Sequence, residues 1–529
     1  MASTSSSSLL RVFGRSAAPA QAQRLRSCRQ FQRHLTQQAS PLQETNAVRE
    51  IHKLMAEVRG AHPQKLKLSM PSKLSSRDPQ RLRRIPRPVA DTNLTRFLSQ
   101  SCAMTARLAP RRSWMKEMQF QQHPAEGTIQ PGTSELPEAM LRPKRMQDSY
   151  VELYLPFTED PELLEKYIAT SGLIRLGKVL EDLDSLAGGI SYQHALGGHP
   201  SEGSAPVYIV TASVDRLDLL APLTADANYR LSGHVIYVGS SSMEVFVSIE
   251  QLTEPMRPNK ICLTGRFTMA ARNAHTLSSQ RIAPLILETD AERALFAMGE
   301  AHKNRKRTEA ASSLEKVPPS KEEAFLLHSQ YLRGLQAGMF ATDDLHGPAM
   351  KLEPVDHPNG ATLVPVRKTS LSTTMHMHPQ QRNVHQKIFG GFLMRSAYEL
   401  AWMVSASFVN RHVQFLSLDA LSFHAPVPIG AMLQLSSQIA YTSEPDQHPQ
   451  RHTIAGVTVL AEVVDLETGE RKKSNTFHFS FDLGETDHQV LPQTYKEAME
   501  FIEGKRRVEI GTEMRRLYQG EQQVEQPPQ

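Results

Sequence analysis

The chain has 529 residues, 40% of them hydrophobic, which is enough for two or three globular domains. Its longest apolar runs, such as Val457–Leu460, fall far short of the roughly 20 apolar residues a membrane-spanning helix needs, so no integral membrane segment is expected. The formal net charge of +5 is unevenly placed: residues 1–40 hold six arginines (Arg11, Arg15, Arg24, Arg26, Arg29, Arg33) and no acid, which leaves the remainder slightly negative. A folded part without a basic excess argues against nucleic acid as a partner.

In chain order, that Arg- and Ser-rich, acid-free opening has the composition of a mitochondrial transit peptide, with matrix delivery the expectation. Residues 41–145 are rich in Pro, Arg, Gln and Ser and lack hydrophobic periodicity, so a partly disordered segment with short helices is expected. A first folded unit is read over 146–272. It opens with a strand near Ser149–Leu155, continues with a helix from about Gly177, and adds strands at Val207–Val214, Arg230–Val238 and Met243–Gln251. Residues 273–364 read as a connector with helices. Within it, Ala291–Ser320 is charged and ends in Pro318-Pro319, and Lys321–Gly334 has Ser320 as N-cap. A second β-rich unit is read over 365–485, and 486–529 offers one helix at Gln493–Glu503 and a polar end.

The two units repeat one another. Asp215-Arg-Leu-Asp-Leu-Leu-Ala-Pro-Leu matches Asp419-Ala-Leu-Ser-Phe-His-Ala-Pro-Val, and without a gap Leu231-Ser232 falls on Leu435-Ser436 and Tyr237 on Tyr441. With ten residues allowed in the Gly/Ser/Pro-rich stretch Gly197–Ala205, Gly177 falls on Gly391 and Ala187 on Ala401. Ala397, Ala401, Val404 and Ala406 put small and apolar residues on several faces of the second helix, so it must be buried against a sheet. The pattern predicts an α+β fold, with each unit a central helix wrapped by a curved antiparallel sheet.

Chemistry concentrates at Asn383-Val-His-Gln-Lys-Ile-Phe-Gly-Gly-Phe-Leu-Met-Arg-Ser-Ala-Tyr-Glu-Leu-Ala. Gly390-Gly391 stands where a loop enters a helix, so unpaired amides and the positive end of the macrodipole would face a ligand closely. A carbonyl oxygen gaining negative charge would be stabilised there. Three cysteines (Cys28, Cys102, Cys262) give neither a disulfide framework nor a metal spacing. His376 and His378 share a strand face without an acidic or thiol partner, so no metal is expected. No Gly-x-Ser-x-Gly elbow occurs, which excludes an α/β-hydrolase-type esterase.

Asn383-x-His followed by Phe-Gly-Gly and an Ala/Glu-bearing helix resembles the hotdog acyl-CoA thioesterase family. The duplication and the leader resemble its mitochondrial long-chain branch. The resemblance implies tandem hotdog domains, an acyl-CoA substrate, no cofactor, and association into a homo-oligomer through hotdog interfaces. It also implies a site shared between copies: Asp184 of the first as base or nucleophile, facing Asn383 and Gly391 of the second. Gly390, His385, Lys387 and Arg395 would border the substrate, the two cations near the CoA phosphates. The second copy has Tyr398 where the first has Asp184, and the first lacks the Asn and Gly-Gly loop, so only one composite site can be assembled. Glu399, one place further on, is the second-choice carboxylate. A non-catalytic CoA-binding or ribosome-associated mitochondrial protein that kept the fold is the alternative.

Overall fold

The computed structural model describes residues 138–524 apart from 198–206, 254–258, 274–275, 277, 312, 340–354, 357–360, 384–386, 445–451 and 467. The expected leader, the Pro/Arg-rich segment up to residue 137 and the polar end lie outside the described residues.

The first unit comprises β1 (Val151–Leu155), α1 (Pro161–Tyr167), α2 (Leu176–Leu196), β2 (Val207–Leu219), β3 (Asn228–Val238), β4 (Ser242–Leu252) and β5 (Lys260–Asn273). Two helices follow, α3 (Asp290–Ala311) and α4 (Lys321–Gln336). The second unit comprises β6 (Leu371–His376), α5 (Gly390–Val409), β7 (Gln414–Phe423), β8 (Met432–Thr442), β9 (Ile454–Val464) and β10 (Arg471–Asp482), followed by α6 (Tyr495–Val524). The α+β class is as expected. Ser320 caps α4 with Glu323 completing a capping box, which fixes that helix start.

These ten strands of the two units join one sheet in the order β6-β8-β9-β10-β7-β2-β5-β4-β3-β1. The units meet edge to edge where β2 and β7 pair antiparallel, with Leu217 beside Leu418 and Val214 beside Leu421. The repeat makes Val214 the counterpart of Leu418 and Leu217 that of Leu421, so the seam has the two-fold character of a dimer within one chain. Closing the seam also removes one exposed sheet edge from each unit.

On one face of the sheet α2 and α5 lie against each other. Both are apolar around much of their circumference: Leu180, Leu183, Leu186 and Ala187 of α2 and Ala397, Ala401 and Val404 of α5 are buried. The alternating Phe477, Phe479 and Phe481 of β10 all turn to this core.

The duplication extends further than the sequence reading placed it. Residues 290–311, read as part of a charged connector, form α3 and pack on β3, as α6 packs on β8 and β9. Thr289 and Glu292 cap α3 reciprocally, and Thr494 and Glu497 cap α6 the same way. Phe296 meets Tyr237 with ring centroids 4.9 Å apart, and Phe501 meets Tyr441 at 5.0 Å. Gly299 and Gly504 let each helix close on the equivalent tyrosine. Each unit therefore brings its own outer helix. The C-terminal helix, expected at Gln493–Glu503, is correspondingly much longer.

Candidate active site

The helix start at Gly390 follows from its surroundings. Phe389 is the N-cap and offers no side-chain acceptor, so the first-turn amides of α5 are left for another anion. Asp184 comes to that place from α2. A Cβ on Gly390 would stand 3.1 Å from Asp184 Oδ2, so the carboxylate lies on the start of the opposite helix. A Cβ on Gly391 would stand 2.6 Å from the Phe389 ring and 2.9 Å from Glu181 Cα. The two glycines thus admit both the carboxylate and the backbone of α2, an approach any larger residue would block.

Asp184 is only 3% exposed. Burial raises its carboxyl to about 6, while the Thr211 hydroxyl and the Gly391 amide pull the other way and Glu181 pushes it further up. The Thr211 hydroxyl donates to Asp184 Oδ1 at 2.7 Å. A carboxylate so placed is ionised at neutral pH yet a better base than an exposed aspartate.

Asn383 lies in the loop before α5. Its backbone N–H donates to the Lys387 carbonyl at 2.7 Å, and its Oδ1 accepts from the Lys387 amide at 3.1 Å, which closes a turn ahead of the glycines. Lys387 is exposed. His385 lies outside the described residues. Arg395 forms an ion pair with Glu181 Oε1 at 2.9 Å. Glu399 sits on the exposed flank of the helix pair, 2.9 Å from Arg175 and 3.8 Å from Arg395.

At the pseudo-equivalent place the nearest acid is Glu399, whose Oε1 would stand 3.5 Å from a Cβ on Gly177 and is paired with Arg175. Tyr398 replaces the aspartate and packs against Phe415, Phe479 and Phe481 with centroids 5.4, 6.2 and 6.1 Å away. A Cβ on Gly177 would meet Arg395 Cγ at 2.8 Å and the Tyr398 ring at 3.2 Å.

Two features were missing from the sequence reading. Thr211 is one. The other is that Glu181 and Asp182 are buried: Glu181 between Lys178 and Arg395, and Asp182 under a 2.6 Å hydrogen bond from the Tyr167 hydroxyl. Elsewhere, Asp215, Glu244 and His302 bring three metal-ligand-type atoms within 4.8 Å of one another beneath α3. Lys306 is ion-paired to Asp215, and Arg266 stands 3.8 Å from Glu244. The chain's own cations therefore offset this cluster's charge.

No family model matches the chain. Curated relatives do. Acyl-coenzyme A thioesterase 9, mitochondrial, of Mus musculus is 36% identical over 70% of this chain and 79% of its own length. The Homo sapiens protein of the same name is 36% identical over 69% and 78%. An acyl-CoA hydrolase from Staphylococcus aureus, solved with butyryl coenzyme A, is 21% identical over 31% of this chain and 97% of its own, with a TM-score of 0.27, a likeness too distant to bear on the site. The chain belongs to the acyl-coenzyme A thioesterase family, a family of thioester-hydrolysing enzymes.

Proposed function

We propose that this chain hydrolyses fatty-acyl-CoA, long-chain substrates included, to free acid and CoA in the mitochondrial matrix. In this reading its two units are tandem hotdog domains that share one composite site, and chains associate further through the remaining hotdog surfaces. The observation that carries the reading is Asp184 of the first unit lying buried on the uncapped, glycine-lined start of the second unit's helix.

Asp184 takes a proton from water as the water oxygen bonds to the thioester carbon. The helix start stabilises the oxygen that becomes negative once the Gly391 amide passes from Asp184 to that oxygen, and Asn383 positions the water or the carbonyl. The tetrahedral adduct then expels CoA as thiolate by breaking the C–S bond, and the proton held by Asp184 passes to that thiolate. Lys387 lies on the exposed rim, where it would face the CoA phosphates. Turnover of a panel of acyl-CoA chain lengths by the full chain tests the reading. Asp184→Asn should lower turnover about a hundredfold or more, and Asn383→Ala should lower it less. Because one chain supplies both halves, mixing these two variants should restore nothing. Full activity in Asp184→Asn would reject the site.

A further inference from the structure

The helix crossing beside Asp184 is charged in a way that catalysis by one carboxylate does not require. Glu181 lies one turn before Asp184 on α2 and is buried. Residues at that spacing are helix-surface neighbours, about 5–6 Å apart at Cβ. An uncompensated acid there would oppose ionisation of Asp184. Glu181 is compensated on both oxygens: Lys178 of its own helix binds Oε2, and Arg395 of the second unit binds Oε1 at 2.9 Å. The repeat makes Glu181 and Arg395 equivalent positions of the two units, so the bridge lies across the two-fold axis. The packing is arranged around it, because Gly177 clears space for the Arg395 stem and Gly391 admits the backbone at Glu181.

We propose that Glu181 and Arg395 are positioning residues whose bridge sets the charge balance around Asp184, so that one unit tunes the base carried by the other. The inference rests on Asp184 being the base. The groups acting on that carboxyl are Thr211 on β2, the Gly391 amide at the start of α5 and Glu181 on its own helix, with Lys178 and Arg395 standing behind Glu181. Asp182 is hydrogen-bonded to Tyr167, and Glu399 is paired with Arg175 at the exposed flank, so Glu181 and Arg395 are the adjustable pair.

The test is the acid limb of kcat/KM against pH for the full chain, measured with an acyl-CoA that the wild type turns over. That limb reports the base in the free enzyme. Removing the negative neighbour in Glu181→Gln should move the limb down by about one pH unit. Arg395→Gln leaves Glu181 less compensated and should move it up by about as much. The double variant should return towards the wild-type position, and Arg395→Lys should stay near it. Equal loss of rate at every pH with a fixed limb would mean ordinary packing and overturn the proposal. So would a raised KM in Arg395→Gln without a limb shift, which would make Arg395 a CoA contact. If Arg395→Gln does not fold, Glu181→Gln decides alone, and an unmoved limb overturns the proposal. Loss of this inference with Asp184→Asn still inactive leaves the base in place. A full-rate Asp184→Asn removes the base reading instead.

Discussion

The two ends of the helix pair are equivalent in the repeat and differ in how each holds its acid. At one end an acid lies on a glycine-lined, uncapped helix start, with a threonine hydroxyl on its other oxygen. At the other end a tyrosine fills the same place, boxed by three phenylalanines and facing a lone glycine. The first end carries a carboxyl held away from its ordinary ionisation. The second is aromatic core with Glu399 beside it, paired with Arg175 at the exposed flank. If the proposed site is the active one, a site shared between two copies needs only one set of parts, and the unused set can be converted into packing.

The sharpest way to break the comparison is at the two glycines. Gly391→Ala would drive a methyl against the Phe389 ring and the backbone at Glu181, which cannot yield as a flexible side chain would. A loss of about 3 kcal/mol in unfolding free energy is expected, with turnover falling alongside. Gly177→Ala meets Arg395 Cγ at 2.8 Å and the Tyr398 ring at 3.2 Å but no backbone, so about 1 kcal/mol is expected, with turnover changing only as far as the Arg395 bridge is displaced. Equal costs in denaturant melts would mean that the ends are not packed differently.

A second prediction concerns Asp184 and pH. Its folded value of about 6 lies above the ordinary 3.8, so the folded state favours the protonated form. Below about pH 4 burial of the acid exacts no ionisation penalty, and the penalty grows as pH rises through 4 to 6 and is complete above. Asp184→Asn should therefore be more stable than wild type at pH 8, by on the order of 3 kcal/mol, with the advantage gone near pH 4. A variant stability difference that does not change with pH would contradict the raised carboxyl.

The smallest effects belong to the residues beside the mirror place. Tyr398→Phe keeps the aromatic box and should change stability by under about 1 kcal/mol and turnover by less than twofold. Glu399→Gln breaks an exposed pair, worth about as little. A large loss of turnover in either variant, measured in the same assay, would mean that the second end still contributes.

Asp184 was reached only through the family resemblance, since beside Glu181 and Asp182 it reads as one more helix acid; Gly390 and Gly391 were legible as glycines at a helix start. Thr211 was not. A bulge between Thr211 and Ser213 turns the first to the helices and the second to Lys306 on the outer face, so simple alternation misassigns them. The Glu181–Arg395 bridge was encoded in the repeat itself, as opposite charges at equivalent positions, but reads as two exposed charges when each helix is taken alone. Helix α3 was hidden by its charge. Its signal was the match of Thr289, Glu292, Phe296 and Gly299 to Thr494, Glu497, Phe501 and Gly504.

The pairing of β2 with β7 joins two halves that a covalent linker already holds together. Their association is therefore a first-order event at a fixed effective concentration, whereas two separate copies would have to meet by diffusion. Dilution cannot part them, so completeness of the proposed site does not depend on how much protein is present. Selection on each half is correspondingly relaxed: a copy that meets only its tethered partner no longer has to complement itself.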